Sequence, residues 1–73
     1  EKIDDASISA QVKGALLFNR STSALKTNVN TDNGIVTVKG TAKNMAEKDL
    51  VTKLVSDING VKGVVNEIEV KVQ

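Results

Sequence analysis

A short segment near the middle of the chain, Asp32-Asn33-Gly34, constrains the fold more than any other feature of the sequence. Asn and Gly tolerate positive φ angles, so the segment predicts a tight turn. On both sides of it, over Leu25–Thr31 and Ile35–Thr41, apolar and polar residues alternate with the period of two that is typical of half-buried strands. The three features together predict an antiparallel β-hairpin with Asn33 and Gly34 in its turn.

A helix is expected before the hairpin, over residues 4–18. Asp4 or Asp5 is suited to accept hydrogen bonds from the free N–H groups of its first turn. Gly14 falls in its middle, and close packing of the helix against the sheet is the expected reason. Its apolar stripe, at helical spacing, consists of Ile8, Val12, Ala15 and Leu16.

A second helix is expected after the hairpin, over residues 44–58. Asn44 is a favourable N-cap, and Glu47 stands three residues later, so the pair predicts a capping box. The Asn59-Gly60 pair predicts a left-handed end to this helix. Its apolar stripe consists of Ala46, Leu50, Leu54 and Ile58, widened by Val51 and Val55.

Apolar and polar residues alternate again over 64–72, which predicts a third strand with one solvent-exposed face. The element order α-β-β-α-β predicts an α+β fold, a two-layer sandwich with both helices packed on one face of a three-stranded mixed sheet. A right-handed crossover makes the last strand parallel to the second. The sequence leaves open whether it pairs beside the first or the second strand. Gly40, near the end of the second strand, predicts a bulge or a close backbone approach.

The composition excludes several classes of function. The chain has 73 residues, enough for a single domain spanning 1–73, and it contains neither His nor Cys. It therefore lacks the usual general base, a thiol nucleophile and the preferred zinc ligands, so we expect no catalytic site, metal or cofactor. The net charge of +1 gives no basic excess for a nucleic-acid partner. No apolar run is long enough for a transmembrane segment, and no signal peptide is visible.

The end of the first helix is the strongest candidate for a binding surface. Leu17 lies off the apolar stripe, and with Phe18 it is flanked by the cations Lys13 and Arg20. Such a set suits contact with an anionic membrane surface or with a partner protein. The alternative is that Phe18 caps the core and that the two cations are only solvated.

Two further patterns are better explained by structure than by chemistry. Gly60-Val61-Lys62-Gly63 fits the GxxG loop with which KH domains clamp nucleic acid, but here it joins a helix to a strand rather than two helices. The segment therefore predicts a helix end followed by a turn. The carboxylate pairs Asp4/Asp5 and Glu67/Glu69 fall at a helix start and on a wet strand face, so capping and solubility explain them.

The edges of the expected sheet form a last candidate. A three-stranded sheet has two edges, and one of them can be open to pairing with another chain. Lys26 and Lys39 are interpreted as charges that guard these edges.

Several segments together resemble the BON domain family of transport-associated domains. Asp4-Asp5-Ala6-Ser7-Ile8, followed by Val12-Lys13 and Ala15-Leu16-Leu17, is similar to the family's opening helix. The hairpin segment Asn33–Thr41 and the closing segment Ile58–Asn66 are similar to its D-G-x-V-T-L-x-G and G-V-x-x-V-x-N patterns, with Glu47-Lys48 between them.

The resemblance implies an α-β-β-α-β fold and a bacterial cell-envelope setting, in the periplasm or at the outer-membrane periphery. It implies a non-catalytic module linked to envelope or osmotic-stress maintenance, with anionic phospholipid as the ligand. It also implies that the first helix and nearby loops carry the lipid contact through an aromatic anchor, for which Phe18 is the one aromatic residue available. The alternative partner is another envelope protein, with this chain as a docking module in a multimeric complex.

Overall fold

The fold is taken from a computed structural model that describes residues 4–20 and 26–71. Its elements follow in the order α-β-β-α-β, which confirms the expected order. They are α1 (Asp5–Phe18), β1 (Thr27–Asp32), β2 (Ile35–Ala42), α2 (Met45–Ser56) and β3 (Gly63–Val70). The expected strand residues Leu25 and Val72 lie outside the described residues.

The three strands form one mixed sheet in the order β1-β2-β3. β1 and β2 are the antiparallel hairpin, in which Asp32 pairs with Ile35 across the turn. β3 runs parallel to β2, with Val36 opposite Val64, so the crossover through α2 connects neighbouring strands. The pairing that the sequence left open is therefore beside β2, which makes β1 and β3 the two edges.

Both helices pack on the same face of the sheet, α1 against β1 and α2 against β3 and β2, as expected. The core between the two layers is entirely aliphatic. It consists of Ile8, Val12, Leu16, Val36, Val38, Ala42, Val51, Val55 and Ile68.

The buried stripe of α2 differs from the expected one. Val51 and Val55 are its buried centre, whereas Leu50 and Leu54 are half-buried and Ala46 is exposed. Residues spaced by four drift about 40° around the helix at each step, because one turn takes 3.6 residues. A stripe with steps of four therefore leaves the sheet at one end, and here Ala46 is the residue that leaves.

The ends of α2 also differ in detail. The side chain of Asn44 accepts a hydrogen bond from the N–H of Glu47 at 2.8 Å, but the carboxylate of Glu47 accepts from Lys43 at 2.9 Å. The second bond of the expected capping box thus falls one residue earlier. The helix ends at Ser56, before the expected residue 58, because the N–H of Ile58 bonds to Val55 three residues back. Gly60 adopts a φ of 97° in the turn that follows.

Two glycines lie in contrasting surroundings. A Cβ atom at Gly40 would collide with the backbone oxygen of Lys26, which is the close approach that the sequence predicts. Gly14 has no atom within 4 Å of the place where a Cβ would stand, so the predicted packing of this residue against the sheet is wrong. α1 faces the sheet through Val12, and Gly14 lies about 200° further around the helix, on the solvent side.

Candidate functional site

The hairpin turn is held by the start of α1 and by the loop before β3. The carboxylate of Asp5 accepts hydrogen bonds from the N–H groups of Asn33, at 2.9 Å, and Gly34, at 3.0 Å. The carbonyl of Gly34 in turn accepts from the N–H of Lys62 at 2.8 Å. Because backbone groups occupy every one of these contacts, the turn is a structural junction rather than an open anion or cation site.

Asp4 is the N-cap of α1, and its carboxylate accepts the N–H of Ser7 at 2.8 Å. The backbone hydrogen bond from Ser7, followed by that from the Ser7 side chain, lowers the pKa of Asp4 below its usual value of 3.8. The neighbouring carboxylates of Asp4 and Asp5 therefore bind different backbone segments. Contacts with the helix start and with the hairpin turn thus account for both carboxylates.

The glycine-rich loop and the glutamates have equally ordinary surroundings. Gly60–Gly63 links α2 to β3, and the N–H of Lys62 in its middle is bonded to the hairpin turn. Glu67 and Glu69 are exposed on β3, with their carboxylates 3.7 Å from the ammonium of Lys39 and 4.0 Å from that of Lys71. In the described part of the chain, no three acidic residues gather where they could hold a metal ion.

The end of α1 is the most apolar exposed surface among the described residues. Phe18 is 93% exposed and Leu17 is 69% exposed, and Lys13 and Arg20 are exposed beside them. The structure thus does not support the alternative in which Phe18 caps the core. Leu16, one residue earlier, is the side chain of this turn that reaches the core.

The candidate residues lie close together but on different sides of the helix. Lys13 and Leu17 are one turn apart and line a groove of about 550 Å³ between α1 and the first residues of β1. Phe18 follows about 100° around the helix, at 3.6 residues per turn, and so points away from this groove. Lys26 also lines the groove, and we call Lys13, Leu17, Phe18, Arg20 and Lys26 the α1-end surface.

Sequence reasoning did not include Lys26 in this surface. The sequence around Lys26 indicates only a charged residue near the start of a strand. It joins the other residues because β1 runs back along α1, as the hydrogen bond of 2.8 Å between the hydroxyls of Ser9 and Thr31 at the opposite end also shows. No single-residue signal reports such a contact between two elements.

The second face of the sheet carries no helix. Asn28, Asn30, Thr37 and Glu67 are among the side chains that line a shallow depression there. Lys39 lies in its centre on β2, paired with both neighbouring strands, so the interpretation of Lys39 as an edge guard is wrong. Lys26, which immediately precedes the edge strand β1, remains at an edge.

A polar side chain that faces the helices was also missed. The amide Nδ2 of Asn66 donates to the carbonyl of Lys48 at 2.9 Å and to the hydroxyl of Thr52 at 2.6 Å. Its Oδ1 accepts the N–H of Ile68 at 3.0 Å. Asn66 therefore fastens β3 to α2, and it is satisfied within the fold rather than available to a ligand.

Comparison with known proteins is consistent with this architecture. Across the described residues, neither helix has the length and apolarity needed to cross a membrane. No curated protein matches the chain. The sequence model of the BON domain matches residues 4–72, nearly the whole chain, and this family is associated with binding modules of membranes and of the cell envelope. The chain belongs to the BON domain family.

Proposed function

We propose that this protein is a non-catalytic module of the bacterial cell envelope that binds an anionic phospholipid surface reversibly through the α1-end surface. The observation that carries the proposal is the 93% exposure of Phe18, the only aromatic residue of the chain. A large apolar side chain that is left in water at a helix end, next to Leu17, is suited to insertion among acyl chains. The nearby ammonium and guanidinium groups suit the phosphates of lipid headgroups.

The expected binding is weak. Full burial of a side chain such as Phe or Leu is worth about 1.5–3 kcal/mol, and insertion into the headgroup region gains part of that. Each Lys or Arg near an anionic leaflet adds about 1 kcal/mol. The sum suits a protein that exchanges between the membrane surface and solution, and it makes binding sensitive to salt.

The composition and the site geometry support the absence of catalysis. The chain has no His and no Cys, and the carboxylates of Asp4 and Asp5 accept hydrogen bonds from backbone groups. We further propose that residues 1–73 act as one binding unit and need no cofactor. The family's association with the envelope supports a location in the periplasm or at the outer-membrane periphery, with a role in envelope or osmotic-stress maintenance. Fractionation of cells that produce the full-length protein tests the location.

Binding to vesicles tests the function. Flotation with vesicles of phosphatidylglycerol and phosphatidylethanolamine, compared with vesicles of phosphatidylcholine alone, should recover the protein only with the anionic vesicles at low salt. Phe18→Ser and Lys13→Gln should each reduce the recovered fraction severalfold. Met45→Ser and Lys53→Gln are matched controls, because both residues are exposed on α2, away from the α1-end surface. Equal recovery of all variants, or no recovery with either vesicle, would exclude the lipid function.

A second candidate is docking to another envelope protein. The groove between α1 and β1, with Leu17 in its wall, favours this function because it offers a concave surface of mixed apolar and cationic character. The same variants separate the two functions. If an envelope protein is the partner, Leu17→Ser should abolish its capture, and none of the variants should change the flotation of the purified chain with vesicles.

A further inference from the structure

The outer edge of β1 presents a defined set of backbone groups. Asp32 pairs with Ile35 across the two-residue turn, where Asn33 and Gly34 have φ angles of 52° and 82°. In a hairpin with such a turn, the two residues that close it exchange both of their backbone hydrogen bonds. The backbone N–H and C=O of Asp32 therefore point toward β2.

The direction of every other residue of β1 follows by alternation. The register is unbroken from Asp32 back to Thr27, so Asn30 and Asn28 also bond to β2. The N–H and C=O groups of Thr27, Val29 and Thr31 consequently point away from the sheet. Their spacing is that of a strand ready to accept another strand.

The sequence of this edge is close to a palindrome. It is Lys26-Thr27-Asn28-Val29-Asn30-Thr31-Asp32, with Val29 at its centre. Only the two ends break the symmetry, and they carry opposite charges. If a second copy of the strand is laid antiparallel against the first about Val29, Lys26 of each copy stands opposite Asp32 of the other.

We propose that the outer edge of β1 is a homodimer interface, where the strands of two copies pair antiparallel about Val29. The two sheets then form one continuous sheet of six strands, three from each copy. Thr27 faces Thr31 and Val29 faces its own counterpart, each pair exchanging backbone hydrogen bonds. Asn28 faces Asn30 in the closer, non-hydrogen-bonded type of pair, and two amides there satisfy each other because each has a donor and an acceptor.

Charge complementarity favours a second copy over an unrelated strand. By the alternation of the strand, Asp32 falls on the face of the sheet that no helix covers, as Asn28 does, and Lys26, which immediately precedes β1, lies with Asn28 at the edge where that face meets the groove. Lys26 and Asp32 are both exposed, and neither is in an ion pair with a described residue. In the dimer, each copy supplies the missing partner of the other, and opposite charges directly across two strands are stabilising.

The other edge of the sheet is less suited to pairing. The N–H of Lys71 bonds to Ala42 of β2 at 2.8 Å, so the odd-numbered residues of β3 face β2 and Ile68 faces outward. The side chain of Asn66 already accepts the N–H of Ile68 at 3.0 Å. The edge of β3 is therefore blocked at this position, whereas no side chain among the described residues accepts from the outward N–H groups of β1.

Lys13 distinguishes this interface from the lipid-binding surface. It lies on α1 and lines the groove, and it belongs to none of the facing residue pairs of the dimer. Lys13→Gln should therefore leave the dimer unchanged, whereas the same substitution should weaken vesicle binding. The two proposals can therefore fail independently of each other.

Reversal of the charges at Lys26 and Asp32 tests the pairing of the two strands. In sedimentation equilibrium, the unmodified chain should approach twice the 7.7 kDa mass of the monomer as its concentration rises. Lys26→Asp alone and Asp32→Lys alone should each dissociate at least tenfold more readily, because like charges then face each other at both ends. An equimolar mixture of the two variants should associate again, since every facing pair in the heterodimer is opposite in charge.

Amide exchange tests the register. At high protein concentration, the N–H groups of Thr27, Val29 and Thr31 should exchange with solvent more slowly, and those of Asn28 and Asn30 should not change. Asp49→Lys and Lys53→Asp on α2 carry the same charge changes away from the edge and should dimerise like the unmodified chain. A chain that stays monomeric at millimolar concentration, or folded variants that do not associate when mixed, would overturn the proposal.

Discussion

The carboxylate of Asp5, in the first turn of α1, accepts a hydrogen bond of 3.0 Å from the backbone N–H of Gly34 in the hairpin turn. The two residues are far apart in sequence, and the second carboxylate oxygen binds the N–H of Asn33. One side chain thus sets the position of a helix start against a turn. The orientation of α1, and with it the location of the α1-end surface, depends partly on this contact.

Asp5→Ala should destabilise the fold by about 1–3 kcal/mol, because Gly34 is buried and its N–H would lose its partner. Urea unfolding followed by circular dichroism measures the change. Asp49→Ala removes an exposed carboxylate from the middle of α2 and should change the free energy of unfolding by less than about 0.5 kcal/mol. Equal effects of the two substitutions would mean that the contact between Asp5 and the turn contributes nothing.

The hydrogen bonds of Asn66 predict an energetic coupling between β3 and α2. Asn66→Ala and Thr52→Val each break the bond of 2.6 Å between the amide and the hydroxyl. The double variant should therefore be more stable than the sum of the two losses implies, by about 0.5–1.5 kcal/mol. Unfolding of the four proteins in a double-mutant cycle measures this difference, and strict additivity would contradict the prediction.

The parts of the fold that follow from local chemistry were predictable from the sequence. The turn at Asn33-Gly34, the alternation of the strands and the N-cap at Asn44 each depend on a few neighbouring residues. The pairing position of β3 was not predictable, because either neighbour satisfies the same alternation. It is visible only in the structure, where Val64 lies opposite Val36.

The candidate site also contains features that the local sequence predicts and features that it does not. The exposure of Leu17 follows from helical periodicity, but the direction of Phe18 was left open, since a residue at a helix end can turn either way. Lys26 joins the surface only through the packing of β1 on α1. The role of Asn66 was also not predictable, because the sequence does not indicate which residue of another element a polar residue in an apolar strand pattern will bond to.

The lowered pKa of Asp4 predicts a loss of stability in acid. Above its ordinary pKa of 3.8, the carboxylate is charged in both states and caps α1 in the folded one. As the pH falls below that value, the unfolded chain takes up the proton first, and the stabilisation is lost as the pH passes through the folded pKa. Asp4→Asn keeps a capping oxygen but cannot titrate.

Urea unfolding between about pH 5 and pH 2 should therefore show a smaller acid loss for Asp4→Asn than for the unmodified chain. The free energies of unfolding of the two proteins should differ most at the upper end of this pH range and converge at its lower end. Asp57→Asn serves as a control, because it removes the exposed carboxylate of Asp57, which lies at the C-terminal end of α2 and does not cap a helix start. Parallel pH profiles for Asp4→Asn and the unmodified chain would show that the cap is not linked to protonation.

Gly40 and Gly14 should respond to alanine with opposite signs. Gly40→Ala forces a methyl group against the carbonyl oxygen of Lys26, so β1 and β2 must separate locally or distort. We expect a loss of about 2–4 kcal/mol, in the range of severe single substitutions. Gly14→Ala adds a methyl group to open space in a helix, where alanine is favoured over glycine by about 0.5–1 kcal/mol, so the chain should become more stable. Thermal unfolding of both variants checks the signs. A Gly14→Ala variant that is less stable than the unmodified chain would contradict the open surroundings of Gly14 and would support the close packing against the sheet that the sequence predicts.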